Sequence, residues 1–160
     1  MYQEPTMATE SKLSLTQASI DVLNDLIQVN LDSRDGFKHA AGEIEQVHLA
    51  NMFNQLADER DHQARELKSL VSLNGEQPTQ SGSMAAAAHR TWMDLRTALG
   101  GGMSAVLSEA ERGEDHIKGK YEEALKQNAG TATSDILHRQ YAAVKAAHDR
   151  VRDMRDAHQE

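Results

Sequence analysis

The sequence predicts an all-α protein, an antiparallel four-helix bundle, and three observations carry that expectation. Helix-favouring residues are plentiful, while aromatics are limited to two Phe, three Tyr and one Trp, a balance that disfavours strands. Apolar residues recur at helical spacing in four long stripes. Turn signals separate the stripes: Asn74-Gly75, Gly100-Gly101-Gly102 and Asn128-Ala129-Gly130.

The first helix is predicted over about 15–42, with Ser14-Leu15-Thr16-Gln17 as a capping box and a stripe running through Ile20, Leu23, Ile27, Asn30, Arg34, Phe37, Ala41 and Ile44. Gly42 loosens its end. The second, about 46–73, carries Leu49, Phe53, Leu56, Arg60, Gln63, Ala64, Leu67, Leu70 and Val71, and Asn74-Gly75 stops it. Residues 76–83 have Pro, Gly, Ser and Thr without periodicity and read as a linker. An alanine-rich helix over about 84–99 places Trp92, Leu95 and Leu99 on one side. It has no place among the four stripes and is expected to cover a bundle end or form a homodimer contact through Met84–Leu99. The helix over about 103–127 carries Met103, Leu107, Ala110, Glu114, Ile117, Tyr121, Ala124 and Leu125. The last, about 134–157, is capped by Thr133 or Ser134 and carries Leu137, Tyr141, Val144, His148 and Val151. The four long helices are each roughly 36–42 Å long and bury their stripes best against one another, with 75–102 as a crossover. Residues 1–13 read as a loose tail and 14–157 as one domain.

Composition excludes several functions. A chain of 160 residues buries a core without cross-links, and the absence of cysteine removes thiol catalysis and cysteine-ligated metal. A net charge of -8 argues against nucleic acid and anionic membrane as unaided partners. No apolar run approaches the roughly 18 residues of a membrane span, and the polar N-terminus lacks a secretory pattern; the expected location is cytoplasmic. Phosphate loops, nucleophile–His–acid patterns and basic stripes are missing. Gly113, mid-helix beside Glu114, is expected to permit a close helix approach or leave room near the interior.

Each long stripe is interrupted by polar residues near its middle: Asn30 and Arg34, Arg60 and Gln63, Glu114, and His148 with Lys145 a turn earlier at the edge. Buried polar groups are costly unless paired, and four interruptions at similar depth predict one buried polar layer of Asn30, Arg60, Gln63, Glu114, Lys145 and His148. Within it, Arg60 and Glu114 are expected to form a bidentate ion pair whose remaining hydrogen bonds come from Asn30, Gln63 and His148.

The helix order, the crossover and the mid-bundle polar residues resemble the ferritin-like superfamily, as do Leu23-Asn24-Asp25-Leu26-Ile27, Leu56-Ala57-Asp58-Glu59-Arg60-Asp61-His62, Glu111-Arg112-Gly113-Glu114-Asp115 and Tyr121-Glu122-Glu123-Ala124-Leu125. Residues 20–155 are similar, more closely, to an uncharacterised bacterial family of small four-helix-bundle proteins placed in that superfamily; Ser81-Gly82-Ser83, His89-Arg90-Thr91-Trp92-Met93 and the Glu111–Asp115 segment carry most of that match. The resemblance implies a site for two irons built from glutamates and Glu-x-x-His pairs. Its first glutamate falls at Asn30 and its last Glu-x-x-His at Lys145-x-x-His148; Glu114 is kept. Glu59-x-x-His62 has the right spacing, yet His62 lies roughly 140° from its stripe's centre at 100° per residue, while Arg60 and Gln63 point inward.

Two functions follow. The favoured one is a non-enzymatic bundle with a binding, scaffold or stress-related role, in which a salt-bridged layer replaces a degenerate metal site and no cofactor is held. The alternative is an iron or manganese protein or oxidoreductase with Glu59, His62, Glu114 and His148 as candidate ligands.

Overall fold

The computed structural model describes residues 10–79, 100–128 and 131–158. These form four helices, α1 (Gln17–Glu43), α2 (Val47–Leu73), α3 (Met103–Gln127) and α4 (Ser134–Ala157), with no strand among the described residues. The alanine-rich helix predicted over 84–99, with Trp92 and the proposed homodimer contact, lies outside the described residues.

The first cap differs from the sequence expectation. Thr16, not Ser14, is the N-cap of α1, and its side chain accepts a hydrogen bond from the Ser19 backbone N–H. Ser14 instead sits in a tight turn, where its N–H bonds the Ser11 carbonyl at 3.0 Å. The stretch read as a loose tail carries contacts at residues 10–13: Glu10 accepts from the Thr16 N–H at 3.0 Å, and Lys12 pairs with Asp135 at 3.0 Å.

Asn74 and Gly75 end α2. Gly75 has φ 74°, a left-handed conformation that glycine adopts without Cβ strain. The Asn74 amide then joins two helices, accepting from the Leu15 N–H at 2.8 Å and donating to the Leu70 carbonyl at 2.8 Å. The start of α1 therefore lies at the end of α2. Further along the same pair, Phe37 meets Phe53 edge-on with centroids 5.2 Å apart. Likewise α3 pairs with α4 from Tyr121–Gln140 to Glu111–Arg155, and α1 meets α3 through Ser19–Asn128 and Asn30–Tyr121.

The core divides into two apolar clusters, each fed by all four helices. One contains Leu23, Leu67, Ile117 and Leu137; the other contains Phe37, Phe53, Leu107 and Val151. The fully buried Arg60 and Glu114 lie between these groups in sequence position on α2 and α3.

Gly113 does not mark a close approach. A Cβ built there meets nothing within 4 Å, so the helix bears glycine's backbone-entropy cost without a packing return. Gly113→Ala is expected to raise unfolding stability by about 0.5–1 kcal/mol, measurable as an increased urea midpoint at unchanged m-value.

Candidate functional site

The most deeply buried charged residues are Arg60 on α2 and Glu114 on α3, both at 0% exposure. An Arg60 Nη2 to Glu114 Oε2 ion pair joins them. Arg60 Nη1 donates to Gln63 Oε1, one turn on, at 3.1 Å. The pair is single rather than bidentate: Arg60 Nε and Glu114 Oε1 are buried without hydrogen-bond partners. Burial pushes the Glu114 carboxyl above its ordinary range, and the charge and hydrogen bond of Arg60 pull against that shift.

Asn30 does not complete this pair. Its amide donates to the Leu26 carbonyl and to Tyr121 Oη, each at 2.8 Å. Tyr121 Oη donates in turn to Gln140 Oε1 at 2.7 Å. Gln140 Nε2 reaches Glu66 Oε1 at 2.8 Å and the Gln63 carbonyl at 3.3 Å. Arg139 closes the line with two 3.0 Å bonds to Glu66. A continuous chain thus runs through α1, α3, α4 and α2 to the surface. Burial raises the Tyr121 phenol well above its usual range, keeping it a neutral donor. Burial also acts to raise the Glu66 carboxyl, but the bonds from Arg139 and Gln140 outweigh it and hold the group below its ordinary value.

His148 on α4 is buried but faces carboxylates on the rim rather than Arg60. Its Nε2 lies 2.6 Å from Asp115 Oδ1 and 3.9 Å from Glu111 Oε1, and its Nδ1 lies 3.2 Å from Asp149 Oδ1. Arg155 is ion-paired with Glu111. Lys145, expected in the layer, is exposed: on α4 the inward positions are Gln140, Val144, Ala147 and His148, and Lys145 follows Val144 off that face. Arg34 is also peripheral, bridging Asp35 and Asp61 at 2.9 Å each.

The alternative metal ligands do not converge. Glu59 pairs with Arg150 at 2.9 Å and His62 is exposed. Both line a cleft of about 330 Å³ between α2 and α4, with Asp58, Glu66, Arg139 and Ala143 among its other walls. Glu114 and His148 instead belong to the interior and the α3–α4 rim.

Sequence reasoning overlooked Gln140 and the rim carboxylates Glu111 and Asp115, and it treated Tyr121 as core alone. The four-residue step from Glu111 to Asp115 was a usable signal, because it puts both on one helix face. Gln140 was marked by its spacing, three residues after Leu137 and four before Val144, but the stripe was traced through Tyr141 instead.

Among the described residues these features define an all-α arrangement of four helices with a polar seam through its interior. The DUF2383 family, a domain of unknown function, matches residues 18–127, and the chain belongs to that family. No curated protein matches it.

Two mutational outcomes follow. Arg60→Ala is expected to cost about 3–5 kcal/mol because it strands Glu114, whereas Arg60→Met combined with Glu114→Leu is expected to be near neutral or stabilising; chemical unfolding of both variants separates the cases. Tyr121→Phe removes the hydroxyl that joins Asn30 to Gln140 and is expected to cost about 1–3 kcal/mol, read in the same assay.

Proposed function

We propose that the protein is a non-enzymatic, ferritin-like antiparallel helical bundle acting through interaction, whose interior salt-bridge layer stands where related bundles hold two metals. The observation that carries this reading is the fully buried Arg60 against Glu114. A two-metal centre draws its charge balance from several carboxylates; a guanidinium in contact with the central one opposes a cation there by direct repulsion. Asn30, at the place of a second carboxylate, is neutral and committed to Tyr121.

The iron or manganese alternative requires Glu59 and His62 to join Glu114 and His148 around one centre. Against it stand the Glu59–Arg150 pair and the exposed His62. Exposed Lys145 also limits a reconstruction: Lys145→Glu would place its carboxylate at the surface, so Asn30→Glu with Lys145→Glu does not rebuild a centre. No described helix is long and apolar enough to cross a membrane.

Aerobic addition of ferrous iron tests the proposal. Oxidation is expected to proceed at the rate of buffer alone, followed by absorbance of ferric product. Protein-dependent turnover that is lost in Glu114→Gln would overturn it.

A further inference from the structure

From the rim of the α3–α4 pair we infer a single-ion site for a divalent first-row transition metal of the zinc type, held by Glu111, Asp115 and His148. One ligand atom from each of these residues lies within 4.8 Å of the other two. Ligands about 2.1 Å from a tetrahedral ion stand about 3.4 Å apart, so small side-chain adjustments bring all three into range. One imidazole nitrogen and two carboxylate oxygens form a mixed set that accepts zinc, and a fourth position stays open to water.

The His148 ring is already oriented for this task. Asp149 on Nδ1 favours the tautomer that carries its proton there, the arrangement by which an outer carboxylate directs Nε2 at a metal. Nε2 then faces Asp115 Oδ1 at 2.6 Å. The two donor atoms face each other, and a shift of under about 1 Å opens their gap to the roughly 3.4 Å that a shared ion requires.

A second observation lies behind the triad. Glu114, one position before Asp115 on α3, is wholly buried, its Oε1 has no hydrogen-bond partner, and its charge and that of His148 act on each other. Arg60 therefore leaves one carboxylate oxygen uncompensated within electrostatic reach of the imidazole. The only cation paired with a member of the triad is Arg155, on Glu111, among the described residues. Arg155 is accordingly a competitor that the metal displaces from Glu111.

This site shares His148 with the alternative two-metal set but uses Glu111 and Asp115 in place of Glu59, His62 and Glu114, and its test separates the two. Metal-free protein, prepared without a histidine tag by chelator dialysis, is titrated with zinc chloride by calorimetry. One equivalent is expected to bind. Asp115→Asn, at an exposed position that leaves folding intact, is expected to weaken binding at least tenfold, and His148→Ala to abolish it. Arg155→Gln is expected to tighten binding by freeing Glu111. Failure of the wild-type protein to bind zinc overturns the inference. So does zinc binding that is insensitive to Asp115→Asn, or that falls instead with Glu59→Gln and His62→Ala. Ferrous-iron turnover that is lost in Glu114→Gln bears on the interior centre, whereas the zinc titration read through Asp115→Asn bears on the rim.

Discussion

The contact on which the interior depends is the ion pair between Arg60 and Glu114. Both side chains are removed from water completely, and a buried pair of this kind contributes little net stability compared with well-packed apolar residues. Its effect is on alternatives. Sliding α2 along α3 by one turn would leave Arg60 facing Ala110 or Ile117 in place of Glu114, with a bare guanidinium in an apolar cluster. A shifted register therefore incurs the full cost of an unpaired buried charge, while the native register does not. Apolar contacts alone discriminate poorly here, because leucine and alanine side chains recur along every stripe and tolerate exchange.

The Tyr121 chain adds a second constraint of the same type. Asn30, Tyr121, Gln140 and Glu66 each come from a different helix, and each hydrogen bond has a defined donor. Displacing one helix breaks the bond on either side of it and strands buried polar atoms. The chain and the ion pair are linked through Gln63, whose side chain receives Arg60 and whose carbonyl receives Gln140. Two short polar systems thus define relative positions for all four helices, while the apolar clusters on α1 to α4 supply most of the burial.

The long helices were legible because amphipathic periodicity and turn residues agreed. The predicted spans 103–127 and 134–157 coincide with Met103–Gln127 and Ser134–Ala157. The start of α1 was displaced because two hydroxyls, Ser14 and Thr16, compete for the capping role, and Glu10 and Ser11 draw Ser14 and Thr16 into a turn that only tertiary placement reveals. Arg60 and Glu114 stood out because charges in the middle of an apolar stripe have few places to go. Lys145 was misplaced because it borders the stripe, where a rotation of one position decides between core and solvent. Asn30 was located correctly in depth but not in partner: stripe analysis gives a residue's depth along the helix and says nothing of the neighbour across the interface. Gln140 escaped for a different reason: it lies on the buried face, three residues after Leu137 and four before Val144, but the apolar stripe was traced through its neighbour Tyr141, which the structure leaves only partly buried.

Charge is sorted in this molecule by depth. In the interior, among the described residues, Arg60 and Glu114 neutralise each other and neutral amides and a phenol make further polar contacts. At the α3–α4 rim, His148 meets Glu111, Asp115 and Asp149, and the local balance is anionic even with Arg155 in place. The same helix presents Glu114 inward and Asp115 outward in consecutive positions, so a step of about 100° around α3 changes the environment from a closed ion pair to an open carboxylate. An ion pair excludes a metal by occupying the carboxylate with a fixed cation; an open carboxylate beside an oriented imidazole does the reverse. The difference between an inert centre and a receptive rim therefore reduces to where the arginines are anchored. Arg60 is held from α2 within the core and cannot withdraw without burying its charge unpaired, whereas Arg155, near the exposed end of α4, can exchange Glu111 for water at little cost.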